Sequence, residues 1–262
     1  MFSLPGAFYH FDIYKEILDK ISPSVFYDST DMCLWNGGRA NVNQKFDIDI
    51  VNEYYKHGHK IALTFSNSII DLSDKTGNKL LELLSESQNF VIYRNTELAK
   101  HIKNNYNLKL VYSITGTVEN YSKDWYEDIL SIADYIVPRF HHLSNIMNEF
   151  SDLSKFIPMV NHSCPSNCPY WSEHYSDVEK SIQKNESYSS FDNKVIECKL
   201  KKDLSDNIYN ISNTVQKINK LVSAGFKNFK LAGREFSKEQ LKKELSNCSA
   251  YLTGDKNEIL FT

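Results

Sequence analysis

The chain has 262 residues and a mass of 30.4 kDa, enough for one large domain with a sizeable buried core. Hydrophobic residues at 41%, charged residues at 24%, six prolines and nine glycines exclude a disordered or collagen-like chain. Thirty Lys and Arg against 33 Asp and Glu leave a formal net charge of −3, which is not the basic excess of a general nucleic-acid binder.

In chain order, short β-branched or aromatic runs predict strands at 7–10, 25–29, 60–66, 90–94, 108–113, 135–140, 156–161 and 228–233. Amphipathic stretches predict helices at 13–21, 48–57, 78–87, 96–104, 123–133, 144–152, 206–224 and 237–246. Strand and helix alternate throughout. Parallel strands need crossover connections, so this order predicts an α/β chain folded as one (β/α)8 TIM-type barrel over 1–262, with a doubly wound sheet as its rival. One stretch breaks the rhythm. Residues 162–205 form a cysteine-containing insertion after the seventh strand, and its polar middle, SIQKNESYSS, reads as a mobile tip. No apolar run approaches a membrane span, and the start MFSLPGAFYHFDIYKEI lacks the basic then apolar layout of a signal peptide, so a cytoplasmic location is expected.

Thiols stay reduced in that compartment, so the five cysteines suggest metal or redox chemistry before disulfides. In a barrel the active site is built from the segments after the carboxyl ends of the strands. Those segments carry Asp12, Cys33 with Asn36-Gly37-Gly38-Arg39, Asn67, Arg94, Thr115, then Arg139, His141 and His142, then Asn161, His162, Cys164 and Cys168, and finally Arg234. Cys164 and Cys168 are each followed by proline, which favours a turn. Their spacing departs both from the common zinc spacing and from a radical-SAM loop, whose third cysteine would stand where Trp171 does. A [4Fe–4S] cluster takes four ligands, and Cys33 and Cys198 are the natural completing pair. Zinc on Cys164, Cys168, Cys198 and His162 or His174 is the competing arrangement. Cys248, at the end of the last helix, reads as a small apolar residue. Histidine titrates near neutrality, so His141 and His142 are acid–base candidates, with Asn161 beside them at a strand end. Arg39, Arg139, Arg234 and Asn67 are candidate contacts for an anionic substrate.

With those residues assembled, the chain resembles the peptidase U32 family, especially its small single-domain members that support anaerobic ubiquinone hydroxylation. The resemblance is carried by Val25-Phe26-Tyr27-Asp28, Met32-Cys33 and Arg39, by Gly58-His59-Lys60-Ile61-Ala62-Leu63-Thr64, by Cys164 with Cys168, and by Lys230-Leu231-Ala232-Gly233-Arg234. It implies a [4Fe–4S] cluster on Cys33, Cys164, Cys168 and Cys198, although the close pair here precedes the lone late cysteine instead of following it. It also implies an oxidoreductase, with oxygen-independent hydroxylation of a small organic substrate or nucleobase and a related partner subunit. The alternatives are a zinc-stabilised barrel with a binding or scaffold role, and a U32-like peptidase. No serine or cysteine nucleophile beside an orienting base is recognisable, which favours redox chemistry over proteolysis.

Overall fold

The computed structural model describes residues 1–30, 33–37, 44–85, 89–161, 168–184, 214–234, 236–255 and 260–261. Its strands are β1 (Phe2–Pro5), β2 (Val25–Asp28), β3 (Lys60–Phe65), β4 (Phe90–Tyr93), β5 (Lys109–Tyr112), β6 (Tyr135–Ile136) and β7 (Phe229–Lys230). Its helices are α1 (Phe11–Tyr14), α2 (Ile48–Lys56), α3 (Lys75–Ser85), α4 (Thr96–Asn105), α5 (Lys123–Leu130), α6 (Leu143–Glu149), α7 (Trp171–Gln183), α8 (Thr214–Ala224), α9 (Lys238–Asn247) and α10 (Ser249–Thr253). No helix among the described residues is long and apolar enough to cross a membrane.

The strands form one parallel sheet in the order β6-β5-β4-β3-β2-β1-β7. Side chains alternate across it. Phe26, Ile61, Leu63, Val91, Tyr93, Leu110 and Tyr112 pack under the helices, whereas Val25, Tyr27, Ala62, Phe90, Ile92 and Val111 share a second cluster on the other face. Burial on both faces explains why β2 to β5 read as continuous apolar runs. The sheet is curled: a residual cavity of about 10 Å³ is lined together by Ser3, Val25, Ala62, Ile92, Val137 and Lys230, from strands that a flat sheet would hold far apart.

The edges of the sheet, β6 and β7, are both engaged by residues 156–160. Ile157 N–H donates to the Ile136 carbonyl at 2.8 Å, Lys230 N–H to Pro158 at 3.0 Å and Val160 N–H to Lys230 at 3.0 Å. The strand expected at 156–161 is therefore two isolated parallel bridges, Ile136 to Phe156 and Met159 to Lys230, because Pro158 has no N–H for a ladder. Pro138 stands two residues beyond the end of β6, which the sequence reading had carried to 140. The first strand lies at Phe2–Pro5 and not at 7–10: Gly6 takes φ 75°, and the following residues turn into α1. The helix expected at 13–21 is α1 followed by tighter turns, such as Ile17 N–H to Tyr14 and Lys20 N–H to Ile17. Within 162–205, the expected loop contains α7, and the supposed tip SIQKNESYSS begins with its last turn. Residues 206–213 of the helix expected at 206–224 lie outside the described residues.

Candidate functional site at the carboxyl ends of the strands

Because every strand is parallel, the loops after β1 to β7 emerge on one face. The loop after β2 is stitched to the loop after β3. Asn67 N–H donates to the Trp35 carbonyl at 3.2 Å, Trp35 Nε1–H to Asp71 at 2.8 Å, and Asn36 Nδ2 to Thr30 at 3.1 Å. Gly37 is required by this approach, since a Cβ there would lie 2.4 Å from the carbonyl carbon of Ser66. The stitching buries Ser29, Thr30, Asn36, Ser66 and Asn67 completely. Among their polar atoms, Thr30 Oγ1, Ser66 Oγ and Asn67 Nδ2 have no hydrogen-bond partner among the described residues. Buried polar groups are normally satisfied, so such a group calls for a ligand, a water or a mechanical reason.

Arg234 lies beside this cluster. Its guanidinium donates to Ser29 Oγ at 2.9 Å and sits 5.6 Å from the Tyr27 ring. Asp28 lies beneath, accepting N–H groups from Phe8, Tyr9 and Ser29 at 3.1, 3.3 and 2.9 Å. Burial pushes its carboxyl up, against the opposing pull of Arg234 and those donors. Inside the curl, the Lys230 amine lies 3.7 Å from the centroid of Tyr27, and burial holds it well below the ordinary lysine range, with Arg234 adding repulsion.

Helix α7 crosses the strand ends. Trp171, Tyr175, Val178, Glu179 and Ile182 are buried at helical spacing and form one stripe. At one end Arg139 stacks on the Trp171 ring at 4.9 Å; further along, Glu179 accepts from Arg94 and from Ser68; at the far end Gln183 reaches the Leu34 carbonyl. The helix thus runs from the loop after β6, over the ends of β4 and β3, to the loop after β2. Trp171 and Tyr175 join the inner apolar cluster and close it from above.

The remaining candidates have defined surroundings. Arg139 is buried, and its Nε–H donates to the Thr117 carbonyl at 3.1 Å. His142 is buried with both ring nitrogens engaged: Nε2–H donates to the Glu119 carbonyl at 2.9 Å, so Nδ1 accepts from Tyr126 Oη at 2.9 Å. Burial lowers its pKa and keeps it neutral. His141 Nε2 lies 3.0 Å from the same carbonyl, nearer the solvent. Asn161 spends both ends of its amide on Ala232, donating to its carbonyl at 3.0 Å and accepting from its N–H at 2.6 Å. Thr115 pairs with Ser113 at 3.0 Å, and Asp12 pairs with Lys238 in an exposed position.

Of the proposed thiol ligands, Cys33 is fully buried in the helix-side layer, whereas Cys168 is half-buried against the inner cluster. Cys164, Cys198, His162 and Arg39 lie outside the described residues, and His174 is on α7. Among the described residues no three His, Cys, Asp or Glu gather as a metal site. Cys248 is buried, and burial pushes its thiol up.

No family model and no curated protein matches the chain. Similar solved structures include that of a U32 peptidase. Its TM-score is 0.47 at 15% identity, over 88% of this chain and 92% of that one.

The sequence reading passed over Trp171, Tyr175 and Glu179, although their 171/175/178/182 spacing within the insertion was a helical signal. It also passed over Ser66 and Thr30, because hydroxyl residues at strand ends carry no pattern until the loops are brought together.

Proposed function

We propose that the chain is a U32-like (β/α)8-type barrel enzyme that binds a small anionic substrate at its carboxyl face and modifies it by redox chemistry. The observation that carries this reading is the set of buried donors Thr30 Oγ1, Ser66 Oγ and Asn67 Nδ2, without partners among the described residues, with Arg234 held on Ser29, the neighbour of Thr30. Hydroxyl and amide donors beside a guanidinium suit a carboxylate or phosphate, and a charge-assisted contact is stronger than a neutral one. Residues 156–160, bridged to both edge strands, support closure of the sheet by this irregular segment in the place of an eighth strand.

In this reading Arg234 and Asn67 hold the anion, with Arg39 from the loop after β2, and Arg139 anchors the helix above. Neutral His142 keeps His141 at the rim as the available acid or base, and Asn161 positions the strand end that carries Arg234. Helix α7 excludes water, and substrate entry requires it to lift. A soft metal centre on Cys33, Cys164, Cys168 and Cys198 belongs to this reading as an expectation from the sequence, and it requires Cys33, in the helix-side layer, and Cys168, at the inner cluster, to come together. When bound there, a [4Fe–4S] cluster supplies electron transfer for an oxygen-independent hydroxylation or a related step on a small organic molecule or nucleobase.

A second reading, a zinc-held barrel with a binding role, is favoured by Trp171 and Tyr175 filling the mouth. Anaerobic purification with a visible spectrum and iron, sulfide and zinc analysis tests both. Iron and sulfide in equal amounts, lost together in Cys33→Ala and Cys168→Ala, support the redox reading. Stoichiometric zinc without iron overturns it in favour of the second, and a metal-free active protein overturns both.

A further inference from the structure

A groove of about 610 Å³ runs between α6 and α8, with Phe140 and His141 of the loop after β6 at one end. Its floor is Phe140, Leu143, Met147 and Leu221, and Lys217 and Lys220 stand on one wall. Phe140 is 48% exposed and Met147 is 38% exposed, so the groove shows large apolar side chains to solvent. Isolated exposed apolar residues are ordinary, but exposed ones gathered in a concavity mark a binding surface. The cation wall is distinctive. No acidic residue lines the groove, and neither lysine forms an ion pair among the described residues. Lys217 does sense buried Glu244 behind α8, but burial pushes that carboxyl toward its neutral form. The Lys217 amine instead lies 5.9 Å from the centroid of Phe140, at the border between the apolar floor and the solvent.

We propose that this groove binds a small anionic amphiphile, its apolar body on Phe140, Leu143, Met147 and Leu221 and its anionic end on Lys217 and Lys220. The size of the groove selects a small molecule over a docked peptide helix. Its lining covers 143–147 of α6 and 216–221 of α8, about 6–8 Å of helix at ~1.5 Å per residue, which is shorter than the several turns that helix-in-groove recognition uses. Its volume lies within the range of small-molecule sites, about 300–1,000 Å³. The charge of the wall selects an anionic end.

The test uses three probes on the intact chain, followed by calorimetric titration: sodium decanoate, decyltrimethylammonium with the same chain and opposite charge, and an acidic amphipathic peptide. The variants are Lys217→Glu with Lys220→Glu, both on the solvent side of α8, and Met147→Ala, with circular dichroism confirming that each is folded. Decanoate should bind saturably at one site. It should bind about tenfold or more weakly to the double charge reversal, the worth of one charge-assisted contact, and more weakly to Met147→Ala, while the cationic probe gives no saturable heat. Equal binding of both charges, no decanoate binding, or undiminished binding in the charge-reversed variant overturns the proposal. So does a peptide that binds more tightly than decanoate and competes with it.

Discussion

Replacing Arg94 by alanine takes away the cation that holds Glu179, and with it the central attachment of α7 to the sheet. The Glu179 side chain is 6% exposed and that of Arg94 30% exposed, so the pair stands between two measured regimes. Severing a fully buried pair costs about 3–5 kcal/mol because a charge is left stranded, whereas exposed pairs are worth about 0.2–1 kcal/mol. Ser68 remains as a donor to Glu179, which places the expected loss at about 2 kcal/mol. The loss falls on the docking of α7 and leaves the sheet alone, since Arg94 follows β4 and no strand ladder depends on its side chain. Native-state hydrogen exchange reads this directly: the opening free energy of amides in Trp171–Gln183 drops by about 2 kcal/mol while those of β3 to β5 are unchanged. Glu179→Gln in the Arg94→Ala background should recover most of the loss, because an amide is cheaper to bury unpaired than a carboxylate. Equal losses in α7 and in the sheet, or no change in α7, would refute the view that this pair fastens the helix over the strand ends.

Gly37→Ala should lower Tm by several degrees, as its Cβ would meet backbone atoms of Ser66 and Asn67 that cannot swing aside; overpacking of this kind costs about 1–3 kcal/mol, and an unchanged melt would show that the two loops are not in register as described. Lys230→Met should stabilise the fold by about 1–4 kcal/mol near neutral pH, the range seen when buried ionic groups yield to apolar ones. The sign follows from the lowered folded pKa: the unfolded chain binds the proton more readily, so wild-type stability rises with pH between the folded pKa and 10.5, and the advantage of Met shrinks across that window. An advantage that grows toward high pH would disprove it.

Strands β2 to β5 were legible because they are buried on both faces, so that apolar runs such as Ile61 to Phe65 stand out at their true positions. The ends were not. Pro5 and Gly6 hide β1 by resembling a turn signal, and Pro158 breaks a segment that looks like a full strand from its neighbours Phe156, Ile157 and Val160. That Asn67 and the arginines at 94, 139 and 234 follow strand ends was readable, because a parallel sheet sends those loops to one side. Their partners were not readable, since the contacts are long-range: Glu179 comes from 85 positions away to meet Arg94, and Ala232 from 71 to occupy Asn161. The engagement of both His142 nitrogens likewise depends on Tyr126 arriving from α5 and Glu119 from the loop before it.

The pairing of β1 with β7 sets an order on how the molecule is made. Strands β1 to β6 are neighbours in sequence order, so each can join the growing sheet as it leaves the ribosome. Phe2 and Ser3 nevertheless wait for Phe229 and Lys230, and until then the β1 margin of the sheet carries open backbone donors and acceptors, whereas Ile157 reaches the β6 margin much earlier. Such margins recruit other strands. The β1 margin is therefore open to other strands while residues 6–228 are made, and the late, long-range contact that ends this exposure makes folding slow for a chain rich in helices.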